Sequence, residues 1–102
     1  MDRQQQLSRL AQRLARATAD GDWRAVAALD REAAELLHAA AQRPWLPQEH
    51  AALDALRRAH AAAREQCERE AARLDGLLAQ MRSRRDGWMA YAMSDELDEV
   101  PT

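Results

Sequence analysis

The feature that most constrains this chain is one helical stripe through its second half, from Pro47 to about Tyr91. Steps of alternately three and four residues meet mainly apolar side chains here, which is the spacing of a single helix face. The stripe consists of Leu53, Leu56, His60, Ala63, Cys67, Glu70, Leu74, Leu77, Met81, Arg84, Trp88 and Tyr91. We therefore predict a helix of roughly 40 residues, on the order of 60 Å long. In so small a protein, that helix needs antiparallel partner helices or another chain to cover its stripe.

Two shorter helices are predicted before it. Asp2 and Gln5 have the spacing of a capping box, and a face of leucines and alanines follows. The sequence Asp20-Gly21-Asp22 ends this first helix, because Gly tolerates positive φ and Asp can cap the next helix. The second helix must end near Gln42, since Pro44 disfavours helical backbone just before it. The short connection that follows favours an antiparallel return of the long helix.

Composition supports an all-α chain with one domain. The 102 residues include 24 alanines, no Phe and no Lys, and residues of high helix propensity dominate. We predict an antiparallel bundle of three main helices, with a very long third helix and a short C-terminal segment. The bundle should occupy residues 1–93, and residues 94–102 should form a flexible acidic tail.

Charge and cysteine content limit the classes of partner and compartment. A formal net charge of −2 creates no field that would hold nucleic acid or an anionic membrane surface. One Cys excludes an internal disulfide and indicates a reducing compartment. The polar N-terminus has no long apolar region, and no stretch approaches the roughly 20 apolar residues of a membrane span. We expect a cytoplasmic protein.

Catalytic and metal sites are not indicated. His60 and Cys67 share a face but stand one heptad apart, about 10.5 Å along a helix, which is too far for one ion. Cys67 is interpreted as a small hydrophobic residue rather than a nucleophile, because no base accompanies it. Small all-α chorismate mutases bind their dianionic substrate with Arg and Lys, but this chain has no Lys and its Arg residues lie mainly on outward faces. We predict neither an enzyme nor a cofactor.

The most informative side chains are aromatic residues and methionines near the end of the long helix. Trp and Tyr are favoured anchors at interfaces, and Met adapts to variable partners. These rings either close one end of the bundle or remain exposed for an amphipathic partner helix. For the second case, the predicted contacts are Leu77, Leu78, Met81, Trp88 and Tyr91, with Arg84 or Arg85 meeting carboxylates of the partner.

The order of elements resembles a known family. A first helix, the turn Gly21-Asp22-Trp23, a second helix that ends near a Pro-containing loop, and a long helix that runs into LLAQMRSRRDGWMAYAM are similar to the FliT-type flagellar export chaperones. The resemblance extends from about Leu7 to Met93, and Ala90-Tyr91 is its most specific part.

The resemblance implies a function. Such chaperones are cytoplasmic, bind the C-terminal helical segment of the flagellar filament cap protein before secretion, and deliver it to the export apparatus with its ATPase. Family members are also linked to the flagellar master transcription regulator. In the family a fourth helix covers the binding surface, whereas here only residues 94–102 follow Met93 and Pro101 stops a helix. For this chain, the resemblance therefore implies neither a helix that covers the binding surface nor binding of the transcription regulator.

One alternative from another class remains. The stripe of the long helix could instead form a homo-oligomeric coiled coil, which would make the chain a structural or adaptor protein. Capture of the cap protein and the mass of the protein in solution distinguish the two hypotheses.

Overall fold

The computed structural model describes residues 2–98, and side chains as far as residue 94. Three helices follow one another: α1 (Arg3–Ala19), α2 (Trp23–Ala40) and α3 (Pro47–Asp98). The predicted all-α class with a very long third helix is confirmed. α3 is longer than predicted, with 52 residues, because its backbone stays helical through Gly87 and as far as Asp98.

Local hydrogen bonds and one glycine fix the start of α1, the turn that follows it and the start of α2. The Asp2 carboxylate accepts a hydrogen bond from the Gln5 backbone N–H at 2.8 Å, and the Gln5 side chain accepts one from the Asp2 N–H, which completes the capping box. Gly21 has a φ of 67°, a conformation that strains residues with a Cβ. The Asp22 carboxylate then accepts the Ala25 N–H at 3.1 Å and caps α2.

The chain divides into two units, which we name the N-terminal unit (Met1–Glu68) and the C-terminal unit (Arg69–Thr102). In the N-terminal unit, α1, α2 and the first part of α3 surround one apolar core. Leu7 and Leu14 are its most deeply buried large side chains. The core consists of Leu7, Leu10, Ala11, Leu14, Ala17, Leu29, Ala33, Ala52, Leu53, Leu56 and Ala63.

An Arg3–Glu49 clamp fixes how the three helices meet at one end of this unit. The Arg3 guanidinium donates to both Glu49 oxygens, at 2.7 and 2.8 Å, and also to the carbonyls of Ala40 and Pro44. Its Cζ lies 4.4 Å from the centroid of the Trp45 ring. The start of α1 therefore contacts the end of α2 and the start of α3, so consecutive helices run antiparallel, as predicted.

Glu49 also accepts a backbone hydrogen bond at the start of α3. Leu46 precedes α3 and has no side-chain acceptor, so only the reverse half of a capping box forms here: the Glu49 carboxylate accepts the Leu46 backbone N–H at 2.8 Å. The hydrogen bond from Arg3 lowers the pKa of the Glu49 carboxyl, and the bond from Leu46 lowers it further. The carboxylate is therefore held in its charged form within an almost buried contact.

The stripe of α3 has two different environments. Leu53, Leu56 and Ala63 are buried in the core of the N-terminal unit, whereas every described residue from Ala71 to Ser94 is exposed. The change occurs close to the boundary between the units. The predicted division into residues 1–93 and a tail stays a prediction: the backbone of 94–98 is helical, and 99–102 lie outside the described residues.

Candidate partner-binding surface

The C-terminal unit presents large apolar side chains to solvent along one side of α3. We define the C-terminal face as Leu74, Leu77, Leu78, Met81, Trp88 and Tyr91. Their exposed fractions run from 43% for Leu77 to 73% for Trp88. At 100° per residue, the six positions fall within an arc of about 140° around the helix. A stripe of this width is typical of a helix that packs against another helix.

The aromatic end of this face forms a shallow hollow. Trp88 and Tyr91 meet edge to face, with ring centroids 6.5 Å apart and planes at 82°. Together with Arg84 and Gly87 they line a hollow of about 460 Å³. Gly87 contributes no side chain, and a Cβ added there would have no neighbour within 4 Å. The hollow therefore combines two ring surfaces with one guanidinium.

One charged position of the stripe is neutralised within the C-terminal unit. Arg73 donates two hydrogen bonds to the Glu70 carboxylate, at 2.6 and 3.0 Å. This pairing lowers the pKa of the Glu70 carboxyl and raises the pKa of Arg73. Glu70 is therefore an ion-paired position at the start of the face.

The structure brings some of the seven predicted contact residues together. Arg84, Trp88 and Tyr91 line the same hollow. Leu77, Leu78 and Met81 are exposed earlier on the same face of α3. Arg85 lies within the arc of the face as well, but its guanidinium reaches Asp86 at 3.8 Å.

Three exposed apolar residues of this region were not among the predicted contacts, although two of them, Met89 and Met93, belong to the methionines that the sequence indicated near the end of the long helix. Leu74 lies on the predicted stripe but was not predicted as a contact, and Met89 and Met93 are exposed at 57% and 63%. The stripe itself was the signal that could have found Leu74. Periodicity cannot distinguish a covered part of a stripe from an uncovered one, so exposure had to come from the structure.

The N-terminal unit has a hollow of its own beside α2 and α3. Trp23, Val26 and Cys67 are among its lining residues, and its volume is about 460 Å³. His60 Nε2 lies 2.8 Å from Asp30 Oδ1 at its edge, so the predicted stripe residue His60 has a partner on α2. Cys67 is exposed rather than packed in the core as the sequence suggested.

The part of the chain that the structure describes offers no group of three His, Cys, Asp or Glu residues arranged to hold a metal ion. Among the same residues, no helix is long and apolar enough to cross a membrane.

Comparison with known families assigns the chain. The sequence model of the flagellar protein FliT family matches residues 1–93. This chain belongs to the FliT family. Comparisons with curated proteins and with solved structures gave no match. The FliT family is a family of flagellar export chaperones that bind flagellar proteins such as the cap protein, and its members are not known as enzymes. The predicted family is thereby confirmed, and the general role of this FliT chain is that of an export chaperone.

Proposed function

We propose that this protein is a cytoplasmic chaperone for the flagellar filament cap protein. It binds the C-terminal helical segment of that protein on the C-terminal face, prevents premature assembly, and delivers the client to the type III export apparatus with its ATPase. The observation that carries the proposal is the C-terminal face itself, six large apolar residues that lie exposed on one side of one helix. Several large apolar side chains that stay exposed along one side of a helix mark an interaction site.

The physical mechanism is the packing of one amphipathic helix against another. A client helix that lays its apolar side along the C-terminal face removes both surfaces from water, at about 25 cal/mol per Å² of apolar area. Ordering of the client helix opposes this gain. The same burial hides the assembly surface of the client, which is how binding would prevent aggregation before export.

The side chains of Trp88, Tyr91 and Met81 are suited to binding a client helix. Trp88 and Tyr91 offer large, rigid contact areas at low entropic cost, and Met81 adapts to the shape of its neighbour. The face runs from Leu74 to Tyr91, about 26 Å along the helix axis, which accommodates a client helix of about 17 residues.

The experiment is a binding titration of the full chain with the purified cap protein. We expect Met81→Ala combined with Trp88→Ala to weaken binding at least tenfold, because truncation of interface anchors typically costs more than 1 kcal/mol each. The circular dichroism of the double variant should equal that of the wild type, since both side chains are exposed.

The matched control is Leu46→Ala, which truncates an apolar side chain that is 51% exposed but lies outside the C-terminal unit. It should bind the cap protein as the wild type does. Unchanged affinity in the double variant would remove the C-terminal face from the site. The same titration with the export ATPase and with the flagellar master transcription regulator tests these two partners separately.

The same exposed face supports one second candidate, a self-associating structural or adaptor protein. Two copies could cover each other's face as a coiled coil. Sedimentation of the purified chain decides between the two: self-association that excludes the cap protein favours this second function, and a monomer that captures the cap protein favours the first.

A further inference from the structure

We infer that the C-terminal face selects a client helix that carries a carboxylate within its apolar side, and that Arg84 is the residue that pairs with this carboxylate. This inference rests on the proposed function and specifies the chemistry of its client.

The stripe of α3 contains a few polar positions. The alternating pattern of α3 places three strongly polar groups among apolar ones: His60, Glu70 and Arg84. His60 pairs with Asp30, and Glu70 pairs with Arg73. Arg84 makes no ion pair or hydrogen bond with any residue whose side chain the structure describes. Two of the three positions thus have an ion-pair partner within the chain, whereas Arg84 has none among the side chains that the structure describes.

Arg84 lies beside the two exposed rings. Its side chain borders the hollow with Trp88 and Tyr91, on the side of the helix where the apolar residues lie. A helix that docks on those rings would cover the guanidinium and remove part of its hydration. A guanidinium covered without an anion is costly, whereas a carboxylate opposite it gains a charge-assisted and often bidentate contact. The face therefore favours a client with an acid at this position over one without.

Arg84 and Arg85 differ in their surroundings. Both lie within the arc of the C-terminal face, but the Arg85 guanidinium already has an anion in Asp86 at 3.8 Å. Arg85 does not line the hollow, whereas Arg84 does. Arg84 is thus the position at which an incoming carboxylate meets apolar side chains and a cation that has no ion-pair partner among the described side chains.

The test uses two peptides and the full chain. One peptide is the C-terminal helical segment of the cap protein, and the other is the same segment with every Asp and Glu replaced by Asn and Gln. We expect the wild type to bind the acidic peptide about fivefold more tightly than the amide peptide, as one charge-assisted pair of about 1 kcal/mol gives. Higher salt should reduce this preference.

Arg84→Gln should abolish the preference, and its affinity for the acidic peptide should fall by about the same factor. The matched control is Arg82→Gln, which removes an equal charge two residues earlier, about 160° around the helix from Arg84. It should retain the preference. A preference that survives in Arg84→Gln, or that Arg82→Gln loses equally, would overturn the inference.

The outcomes also separate the inference from the function on which it rests. If the acidic peptide binds Arg84→Gln as tightly as the wild type but binds the double variant of Met81 and Trp88 more weakly, the proposed function stands and the role of Arg84 is refuted. If neither peptide binds the wild type, both are refuted. If the wild type sediments as a dimer that Arg84→Gln dissociates, the carboxylate belongs to a second copy, and the inference is overturned.

Discussion

At the scale of single residues, the fold depends on a contact that spans almost half the chain. Arg3 and Glu49 are 46 positions apart, and the Arg3 guanidinium also reaches Trp45 and two backbone carbonyls. No local pattern links these residues, so the sequence did not predict this contact. The capping pairs at Asp2 and Asp22, by contrast, are local in sequence and were predictable from residue type and spacing.

The Arg3–Glu49 clamp makes stability depend on pH. The pKa of Glu49 is lower in the folded chain than its ordinary value of 4.5, so the charged carboxylate stabilises the fold above that value and loses its contribution as the pH falls through the lower, folded pKa. Glu49→Gln should therefore have a lower urea midpoint than the wild type at about pH 7, and the difference should shrink at about pH 3.

The control for this prediction is Glu32→Gln. Glu32 pairs with Arg13 at 3.4 Å with both side chains about half exposed, and exposed pairs contribute little. Its urea midpoint should stay close to that of the wild type at both pH values. A Glu49→Gln deficit that is equal at both pH values would refute the electrostatic account of the clamp.

At the scale of helices, each helix start is fixed by a different device. α1 begins with a full capping box, and α2 begins with an Asp N-cap that follows a glycine of positive φ. At the start of α3, the Glu49 carboxylate accepts the backbone N–H of the preceding Leu46. The continuity of α3 was the harder prediction. Gly76 and Gly87 are weak points by helix propensity, yet the helix passes through both.

Replacement of Gly76 and of Gly21 by Ala should have opposite effects on stability. A Cβ at Gly76 would meet no atom within 4 Å, so Gly76→Ala should raise the helical circular dichroism and stabilise α3 by up to about 1 kcal/mol. Gly21 also has open space, but its φ of +67° strains any side chain. Gly21→Ala should therefore lower the melting temperature. Destabilisation by Gly76→Ala would contradict this prediction, because it would mean that another group packs closely against Gly76.

At the scale of the whole molecule, one apolar stripe is used for two purposes. Its first part builds the core of the N-terminal unit, and its second part forms the C-terminal face. The sequence predicted the stripe of α3, because it follows from helical periodicity, but named no stripe of α2 that would have included the buried Leu29. It could not predict where burial ends, because burial depends on how far α1 and α2 extend beside α3.

This dual use predicts different effects for two leucines of the same stripe. Leu56 is 4% exposed and Leu77 is 43% exposed. Leu56→Ala should destabilise the protein by about 2–5 kcal/mol through cavity formation. Leu77→Ala should change the free energy of unfolding by less than about 0.5 kcal/mol and weaken binding of the cap protein instead. Urea denaturation and a binding titration of both variants give the comparison, and equal destabilisation would contradict it.

Hydrogen exchange of the full chain, free and with the cap-protein segment, measures whether α3 keeps an uncovered face. Backbone amides of a helix without tertiary packing open readily, whereas those beside a core are protected. We predict slow exchange at residues 47–63 and fast exchange at residues 69–94 in the free monomer, with residues 74–91 becoming protected when the segment binds. Slow exchange at residues 69–94 in the free monomer, or no added protection with bound segment, would contradict the claim that α3 keeps an uncovered face for its client.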